Sequence, residues 1–397
     1  DPAATDSAEA DFINTEDPQE LPTSPEQPLV AIEPLLNQSP YPSFRSQQLD
    51  EKLALYYQRL EQSGPPDVII VGSSRALRGV DPTALRQELT GLGYPDATIF
   101  NFGVNGATAQ VVDLIIRRIL LPSQLPKLII WADGARAFNS GRVDVTYNAI
   151  TTSEGYRELV NGRLDVGATA ADLAAAPEEE ATNASLASSY EEMDRWFSDQ
   201  LASLSASHPD RERLKTWLQQ QLVTIAKPLQ IGQESIEEEL DAPMPEGSQI
   251  DFDGFLALPI QFNPATYYQD YARVSGRYDG DYKDFHLNGR QDEAFQDLLD
   301  YTQAQDIPMV FVNTPLTDEY LDGYRTAAEE DFLQYMLQFS TSEAGFIFRD
   351  LGQVWQDQYD YFSDPSHLNR YGAYQVSNRI AQDPMIPWSR VTESRRP

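Results

Sequence analysis

Short apolar runs alternate with helical patterns along most of this chain, and that alternation restricts the fold more than any other feature. The first run, DVIIVG at Asp67–Gly72, is too short for a helix, and its unbroken apolar sequence is typical of a strand buried on both faces. Four similar runs follow: TIFNF at 98–102, KLIIWA at 127–132, MVFVN at 309–313 and FIFRD at 346–350. The alternation predicts an α/β fold, a three-layer doubly wound sheet of about five parallel strands.

The intervening segments carry the start and stop signals of helices. Apolar residues at helical spacing predict a helix over Leu49–Leu60. Another is predicted to begin at Asp81, the N-cap before Pro82, and to end at Gly93. The remaining predicted helices lie at Ala107–Leu121, around Phe295–Tyr301, around Phe332–Phe339 and from about Arg370 to Ala381.

Composition divides the chain into segments. The N-terminal residues, to about residue 28, are acidic and rich in Pro, Ser and Thr, which predicts a disordered tether, assigned to residues 1–40. Ordered structure is expected to begin near Leu29 or Tyr41. Residues 166–251 contain two amphipathic helical patterns and are predicted to form a helical insertion. The insertion separates the two parts of the α/β domain, residues 41–165 and 252–397.

Charge and composition remove several classes of function. The formal net charge of -33 argues against a nucleic-acid partner and against docking on anionic lipid, because both require a basic face. The absence of cysteine excludes disulfides and Cys-based zinc sites. No apolar run approaches the length of a membrane span, so no direct membrane insertion is expected. The acidic residues Asp279, Asp281 and Asp284, with His286, lack the full calcium-loop pattern, and no metal site is predicted.

The turns after the first two predicted strands carry residues suited to catalysis, and in parallel sheets this edge binds ligands. Gly72 permits a tight strand exit, so that Ser74 can expose its hydroxyl at the start of the next helix. Taken alone, a Gly-Ser-Ser sequence is more often an ordinary turn or an N-cap. The turn Asn101–Gly106 follows the second strand, where a backbone N–H at Gly106 would suit an oxyanion; an ordinary βα turn is the alternative.

A histidine with an aspartate partner precedes the last predicted helix. His367 follows Asp364 by three residues, across a turn that contains Pro365. Asp364 is therefore expected to accept the Nδ1–H of His367, which leaves Nε2 free as a base. The other two histidines, His208 and His286, lie in loop-like or polar settings, and any one of the three taken singly is more often a surface residue.

Together these motifs resemble the SGNH, or GDSL-like, hydrolase superfamily. Block I corresponds to residues 72–74, block II to residues 101–106 and block V to residues 364–367, in the order Ser, Asp, His. Within the superfamily the chain resembles the divergent bacterial envelope branch, which includes alginate O-acetylation proteins and D-alanyl transfer proteins of teichoic acid. The resemblance covers about residues 67–141 and 291–381. It implies Ser74 as nucleophile, His367 as base and Asp364 as its partner, without a cofactor.

The resemblance is incomplete after the third predicted strand. The family places an Asn of block III in the oxyanion hole, but the matching stretch, residues 131–139, has no Asn at the expected place. Arg136 and Asn139 are the candidates for this donor, beside the backbone N–H groups of Ser74 and Gly106. The residues expected to contact substrate are Arg75, Asn105, Arg142 and Tyr361.

The resemblance implies a serine-type O-acyl esterase or O-acetyltransferase that acts on a cell-envelope or extracellular polysaccharide. Its expected partners are an acylated carbohydrate or another ester, and an envelope protein, in the periplasm or outside the cell. A first residue other than Met, Asp1, agrees with a removed signal or anchor. The alternative is a non-catalytic polysaccharide-binding or assembly protein, which the altered block III favours. A nucleotide-binding protein ranks third, because the Gly-rich first turn and acidic ribose partner that it requires are not evident.

Overall fold

The computed structural model describes residues 21–164, 166, 249–274 and 280–392. Most of the predicted insertion and residues 1–20 of the predicted tether lie outside this range. Within the rest of the tether, a helix spans Ile32–Gln38, and Leu29 forms an antiparallel bridge with Asp251. Val30 is buried and its N–H donates to the carbonyl of Ile250 at 3.1 Å. Packed structure is therefore present at and before Leu29, inside the segment assigned to the tether.

A five-stranded, all-parallel sheet forms the centre of the described fold. Its strands are β1 (Val68–Val71), β2 (Ile99–Asn101), β3 (Leu128–Asp133), β4 (Met309–Asn313) and β5 (Phe346–Asp350). The spatial order is β2-β1-β3-β4-β5. Every residue of β1 to β4 is buried, as expected for strands covered on both faces, whereas the edge strand β5 is only partly buried. The predicted α/β class and the predicted parallel sheet of about five strands are confirmed.

The helices of the described residues are α1 (Ile32–Gln38), α2 (Gln47–Ser63), α3 (Ser74–Gly79), α4 (Pro82–Gly91), α5 (Ala109–Asp113), α6 (Val145–Thr151), α7 (Glu154–Val160), α8 (Pro264–Asp270), α9 (Arg290–Ala304), α10 (Gly323–Ser342), α11 (Arg370–Ala381) and α12 (Ser389–Thr392). No helix among the described residues is long and apolar enough to cross a membrane. The helix predicted over Ala107–Leu121 begins as α5 and continues as a π-helix over Leu114–Ile119.

Local side chains explain where the main helices begin. The carboxylate of Asp81 accepts the N–H groups of Thr83 at 2.8 Å and Ala84 at 3.2 Å, which satisfies two otherwise unpaired donors at the start of α4. Asn369 caps α11 in the same way, through Tyr371 and Gly372. Helix α9 packs against α5, and α11 packs against α3 and α4.

The strand order reverses direction between β1 and β3. The chain moves outward from β1 to β2 and then returns to place β3 on the other side of β1. Such a reversal opens a crevice at the carboxyl ends of the two central strands, which is where open α/β sheets bind their ligands. Strand β4, from the second part of the predicted domain, pairs with β3 from the first part, so both parts contribute to one sheet.

A short hairpin lies outside the main sheet and precedes α11. Its strands, β6 (Phe362–Asp364) and β7 (His367–Leu368), pair antiparallel, with Asp364 opposite His367. Both strands of the hairpin are largely buried, and β7 packs against α3. Helix α3 begins at the switch point of the sheet, so this packing places the hairpin beside that point.

Candidate active site

The turn after β1 fixes the position of Ser74, which is buried. Gly72 has a φ of +135°, and a Cβ at this position would overlap the carbonyl oxygen of Ala132, so only glycine fits. Ser73 is the N-cap of α3, and the carboxylate of Asp133 accepts both its N–H at 2.7 Å and its hydroxyl at 3.0 Å. Ser74 is consequently fixed as the first residue of α3, where its N–H has no intrahelical acceptor.

The β6–β7 hairpin holds Asp364 and His367 against each other. His367 Nδ1 lies 2.8 Å from Oδ2 and 2.9 Å from Oδ1 of Asp364. The backbone N–H of Ser366 donates to Asp364 Oδ1 at 2.9 Å, and Arg78 Nη1 lies 3.6 Å from Oδ2. The carboxylate is therefore held by groups on both sides, and it fixes the orientation of the imidazole.

Ser74 and His367 meet at the switch point of the sheet. The Oγ atom of Ser74 lies 2.7 Å from His367 Nε2, although 293 positions separate the two residues in the chain. A serine, a histidine and an aspartate connected in this order have the geometry of a nucleophile, its base and the group that orients the base. The structure thus brings together the three residues predicted as catalytic.

Electrostatics favour a neutral His367 and an ionised Asp364. Burial lowers the pKa of His367, the charges of Arg78 and Arg136 add to the effect, and Asp364 opposes it. Burial alone would raise the pKa of Asp364, but interaction with His367, assisted by Arg78, outweighs it and lowers that pKa. A neutral imidazole that donates from Nδ1 to a carboxylate presents a free acceptor at Nε2, as a general base requires.

Arg136 is the side chain that lies next to the reacting pair. It belongs to the 3-10 turn Ala135–Phe138 after β3, and its Nη2 donates to His367 Nε2 at 3.2 Å. Its Nη1 lies 3.4 Å from the hydroxyl of Tyr320, and the carboxylate of Asp281 lies 3.7 Å away. A guanidinium at this point has N–H groups within reach of a carbonyl oxygen on a substrate attacked by Ser74.

Asn139, the other residue that the sequence suggested as an oxyanion donor, already uses its side chain in hydrogen bonds to nearby backbone groups. Its Nδ2 donates to the carbonyls of Asp281 and Lys283, both at 2.9 Å, and its Oδ1 accepts the N–H groups of Gly141 and His286. Both amide hydrogens are used to hold a neighbouring loop. The prediction of Asn139 as an oxyanion donor is therefore wrong.

The turn after β2 lies beside the nucleophile turn. The N–H of Val104 donates to the carbonyl of Gly72 at 2.9 Å, which joins the two turns directly. Gly106 has a φ of +68° and is half-buried in this turn, consistent with the conformation that its sequence predicted. The N–H of Asn105 donates to the side chain of Gln48, while its Oδ1 is buried without a hydrogen-bond partner.

Three predicted substrate contacts differ in their surroundings. Arg75 is 2 % exposed, and its guanidinium packs against Gly134 with none of its three nitrogens hydrogen-bonded. Arg142 is buried and forms an ion pair with Asp281, so its charge is already matched. Tyr361 is half-buried, with its ring edge-on to Trp355 at 5.4 Å. Of these three, Tyr361 keeps an accessible surface near Asp364, whereas the substrate-contact predictions for Arg75 and Arg142 do not agree with their burial.

Sequence reasoning missed two supporting residues, Arg78 and Asp133. Arg78 follows Ser74 by four positions on α3, a spacing that puts both side chains on one helix face. Asp133 is the last residue of β3, the neighbour of β1, so the strand order alone places it beside Ser73. Burial raises the pKa of the Asp133 carboxyl, and the charge of Arg75 opposes this.

No protein-family model matches the chain, and no curated protein matches it either. Among the described residues no group of three or more His, Asp or Glu side chains is arranged to hold a metal ion. Asp281 and Asp284 are part of the loop beside Arg136, and Asp279 lies outside the described residues.

Proposed function

We propose that this protein is a serine-type acyl-transfer enzyme, an O-acyl esterase or O-acetyltransferase of SGNH-like type. The single observation that carries the proposal is the 2.7 Å contact between Ser74 Oγ and His367 Nε2, with Asp364 on the opposite nitrogen. An incidental Ser–His contact would not need a second group to fix the tautomer of the histidine. In this site the buried carboxylate of Asp364 fixes it through Nδ1.

In the first step His367 Nε2 takes the hydroxyl proton of Ser74 while Oγ forms a bond to the ester carbonyl carbon. The carbonyl π electrons move to oxygen and give a tetrahedral oxyanion. The N–H of Ser74, at the first turn of α3, and the N–H of Gly106 are the proposed backbone donors to this oxygen. The bond to the leaving alkoxide then breaks, and His367 returns the proton to that alcohol, which leaves an acyl-Ser74 ester.

Arg136 has a part in this step because it shares an acceptor with Ser74. In the resting site both Arg136 Nη2 and the Ser74 hydroxyl point to His367 Nε2. Once Nε2 is protonated it no longer accepts a hydrogen bond, and the guanidinium N–H is released. The developing oxyanion is the nearest new acceptor, so Arg136 stabilises the transition state more than the ground state.

The second step repeats the chemistry with a different nucleophile. His367 takes a proton from water or from a sugar hydroxyl, whose oxygen attacks the acyl carbon; the bond to Ser74 Oγ then breaks, and His367 returns the proton to that oxygen. Water as acceptor gives an esterase, and a sugar hydroxyl gives a transferase. The sequence resemblance favours acyl groups on an envelope or extracellular polysaccharide. The partly exposed rings of Trp355, Tyr359 and Tyr361 support a sugar ligand, because flat rings with polar edges suit sugar faces.

The test is covalent labelling together with turnover of a small aryl acetate. We expect a serine-directed fluorophosphonate to label Ser74, identified by peptide mass spectrometry. We expect Ser74→Ala to lower kcat by at least roughly 10³-fold and to abolish labelling. Ser63→Ala, which removes an exposed hydroxyl near the end of α2, is the matched control and should retain both.

Two outcomes would reject the proposal. One is an unlabelled Ser74 in folded wild-type protein, and the other is a Ser74→Ala variant that hydrolyses the ester at the wild-type rate. A protein that binds polysaccharide but neither labels nor turns over would instead be a non-catalytic binding protein.

A further inference from the structure

A carboxylate outside the proposed triad lies near the guanidinium of Arg136, at the terminal nitrogen that does not contact His367. Asp281 Oδ2 lies 3.7 Å from Arg136 Nη1, and its Oδ1 forms a close ion pair with Arg142 Nη1. The three side chains are largely buried, with 11 % of Arg136, 20 % of Asp281 and 5 % of Arg142 exposed. One carboxylate thus bridges two arginines at the wall of the proposed site.

The backbone that carries Asp281 is fixed by Asn139. The amide of Asn139 donates to the carbonyls of Asp281 and Lys283 and accepts the N–H of His286 at 3.2 Å. Ser140 adds a further bond, from its N–H to the carbonyl of His286 at 2.9 Å. Since Asn139 directly follows the turn that contains Arg136, this link sets the distance between Arg136 and Asp281.

Electrostatic and entropic arguments both require a partner for Arg136. An arginine side chain has many accessible rotamers, so an unrestrained guanidinium would seldom occupy one position. Moreover, His367 becomes cationic when it takes the proton of Ser74, and a second cation 3.2 Å away would be repelled. A carboxylate near the other terminal nitrogen of the guanidinium attracts this cation and opposes that displacement at the moment when the oxyanion forms.

We infer that Asp281 is a positioning residue that holds the Arg136 guanidinium beside His367 Nε2, ready to bind the oxyanion. The inference rests on the proposed acyl-transfer function and deepens it. Asp281 does not touch the reacting atoms; it acts through Arg136. The sequence suggested Asn139 as an oxyanion donor. Its part in positioning Arg136 is indirect, because Asn139 holds the loop that carries Asp281.

A double-mutant cycle tests the inference, with turnover of an aryl acetate as the assay. Asp281→Asn should lower kcat roughly 10- to 100-fold with KM changed less than about twofold, since a donor displaced by about 1 Å costs up to about 10² in rate. Arg136→Ala should lower kcat roughly 10²–10³-fold. In the Arg136→Ala background, Asp281→Asn should change kcat by less than about threefold. Asp284→Asn, an exposed carboxylate on the same loop, is the matched control and should match wild type.

Either of two kinetic results would overturn the inference: an unchanged kcat in Asp281→Asn, or the same fold-loss in both backgrounds. A crystal structure of Asp281→Asn gives a readout that needs no activity. We expect the Arg136–His367 contact to be lost there, and a contact kept at 3.2 Å refutes the positioning role. Fluorophosphonate labelling of wild-type Ser74 separates the two failures, because it tests the proposed function alone.

Discussion

Replacing Asp364 with Asn should reverse the tautomer of His367, and the contacts of Asp364 show why. Oδ1 accepts the backbone N–H of Ser366 at 2.9 Å, so an amide NH₂ in that position would face another donor. The NH₂ group is therefore driven to the Oδ2 position, 2.8 Å from His367 Nδ1, where Arg78 lies farther away at 3.6 Å. Nδ1 must then accept a hydrogen bond, and the ring proton moves to Nε2.

A proton on Nε2 removes the acceptor for the Ser74 hydroxyl. Tautomer reversal by the equivalent change in serine proteases lowers kcat by about 10⁴-fold, and we expect a loss of that order here. At about 1.36 kcal/mol per factor of ten, this corresponds to roughly 5.4 kcal/mol of transition-state stabilisation. The loss should appear in kcat, because the substitution leaves the crevice walls unchanged.

Initial rates of aryl acetate hydrolysis measure this effect, and ¹⁵N NMR of the imidazole reports the tautomer directly. The matched control is Asp360→Asn, an exposed carboxylate four residues earlier, which should retain the wild-type rate. A folded Asp364→Asn protein that keeps more than about a tenth of the wild-type kcat would refute the assignment of His367 as the base.

Two further predictions concern pH and stability. Burial and the charges of Arg78 and Arg136 lower the pKa of His367, so the midpoint of the acid limb of kcat/KM should lie below the ordinary histidine value of about 6.5; a midpoint above pH 6.5 contradicts this. Gly254 has a φ of +81°, and a Cβ there would overlap the carbonyl of Asn101, so Gly254→Ala should destabilise the protein by about 2–4 kcal/mol in urea unfolding. Gly91→Ala, in open space on α4, should not destabilise it, and equal losses in both variants would contradict the steric argument.

The strands and the Asp364–His367 pair were predictable because the signals for them are local. Each strand is an unbroken apolar run, and the Asp364–His367 partnership is confined to one hairpin. No single segment of the sequence indicates the order of the strands in the sheet. The carboxyl ends of parallel strands nevertheless lie at one edge of the sheet, whatever that order is. That is why Ser74 and His367 could be assigned to one site without knowledge of the topology.

The walls of the site were harder to predict, since they depend on side-chain direction and on distant loops. Arg75 is adjacent to Ser74 in sequence, but consecutive helical residues point about 100° apart, and its side chain turns to Gly134. Arg136 and Asn139 belong to one short turn, and the choice between them depends on the loop around Asp281, 142 positions beyond Asn139. No pattern in residues 131–139 contains that information.

The 293 positions between Ser74 and His367 have a consequence for the newly made protein. While a ribosome is still synthesising the central segment, β1, β2 and β3 can already pair, and Ser74 can take its place at the start of α3. Its base does not yet exist. The Ser–His contact can form only after residue 367 has emerged and the hairpin has docked on α3, at the late end of synthesis. A nascent or truncated chain therefore carries the serine without its base, and serine-directed labelling should distinguish it from the finished protein.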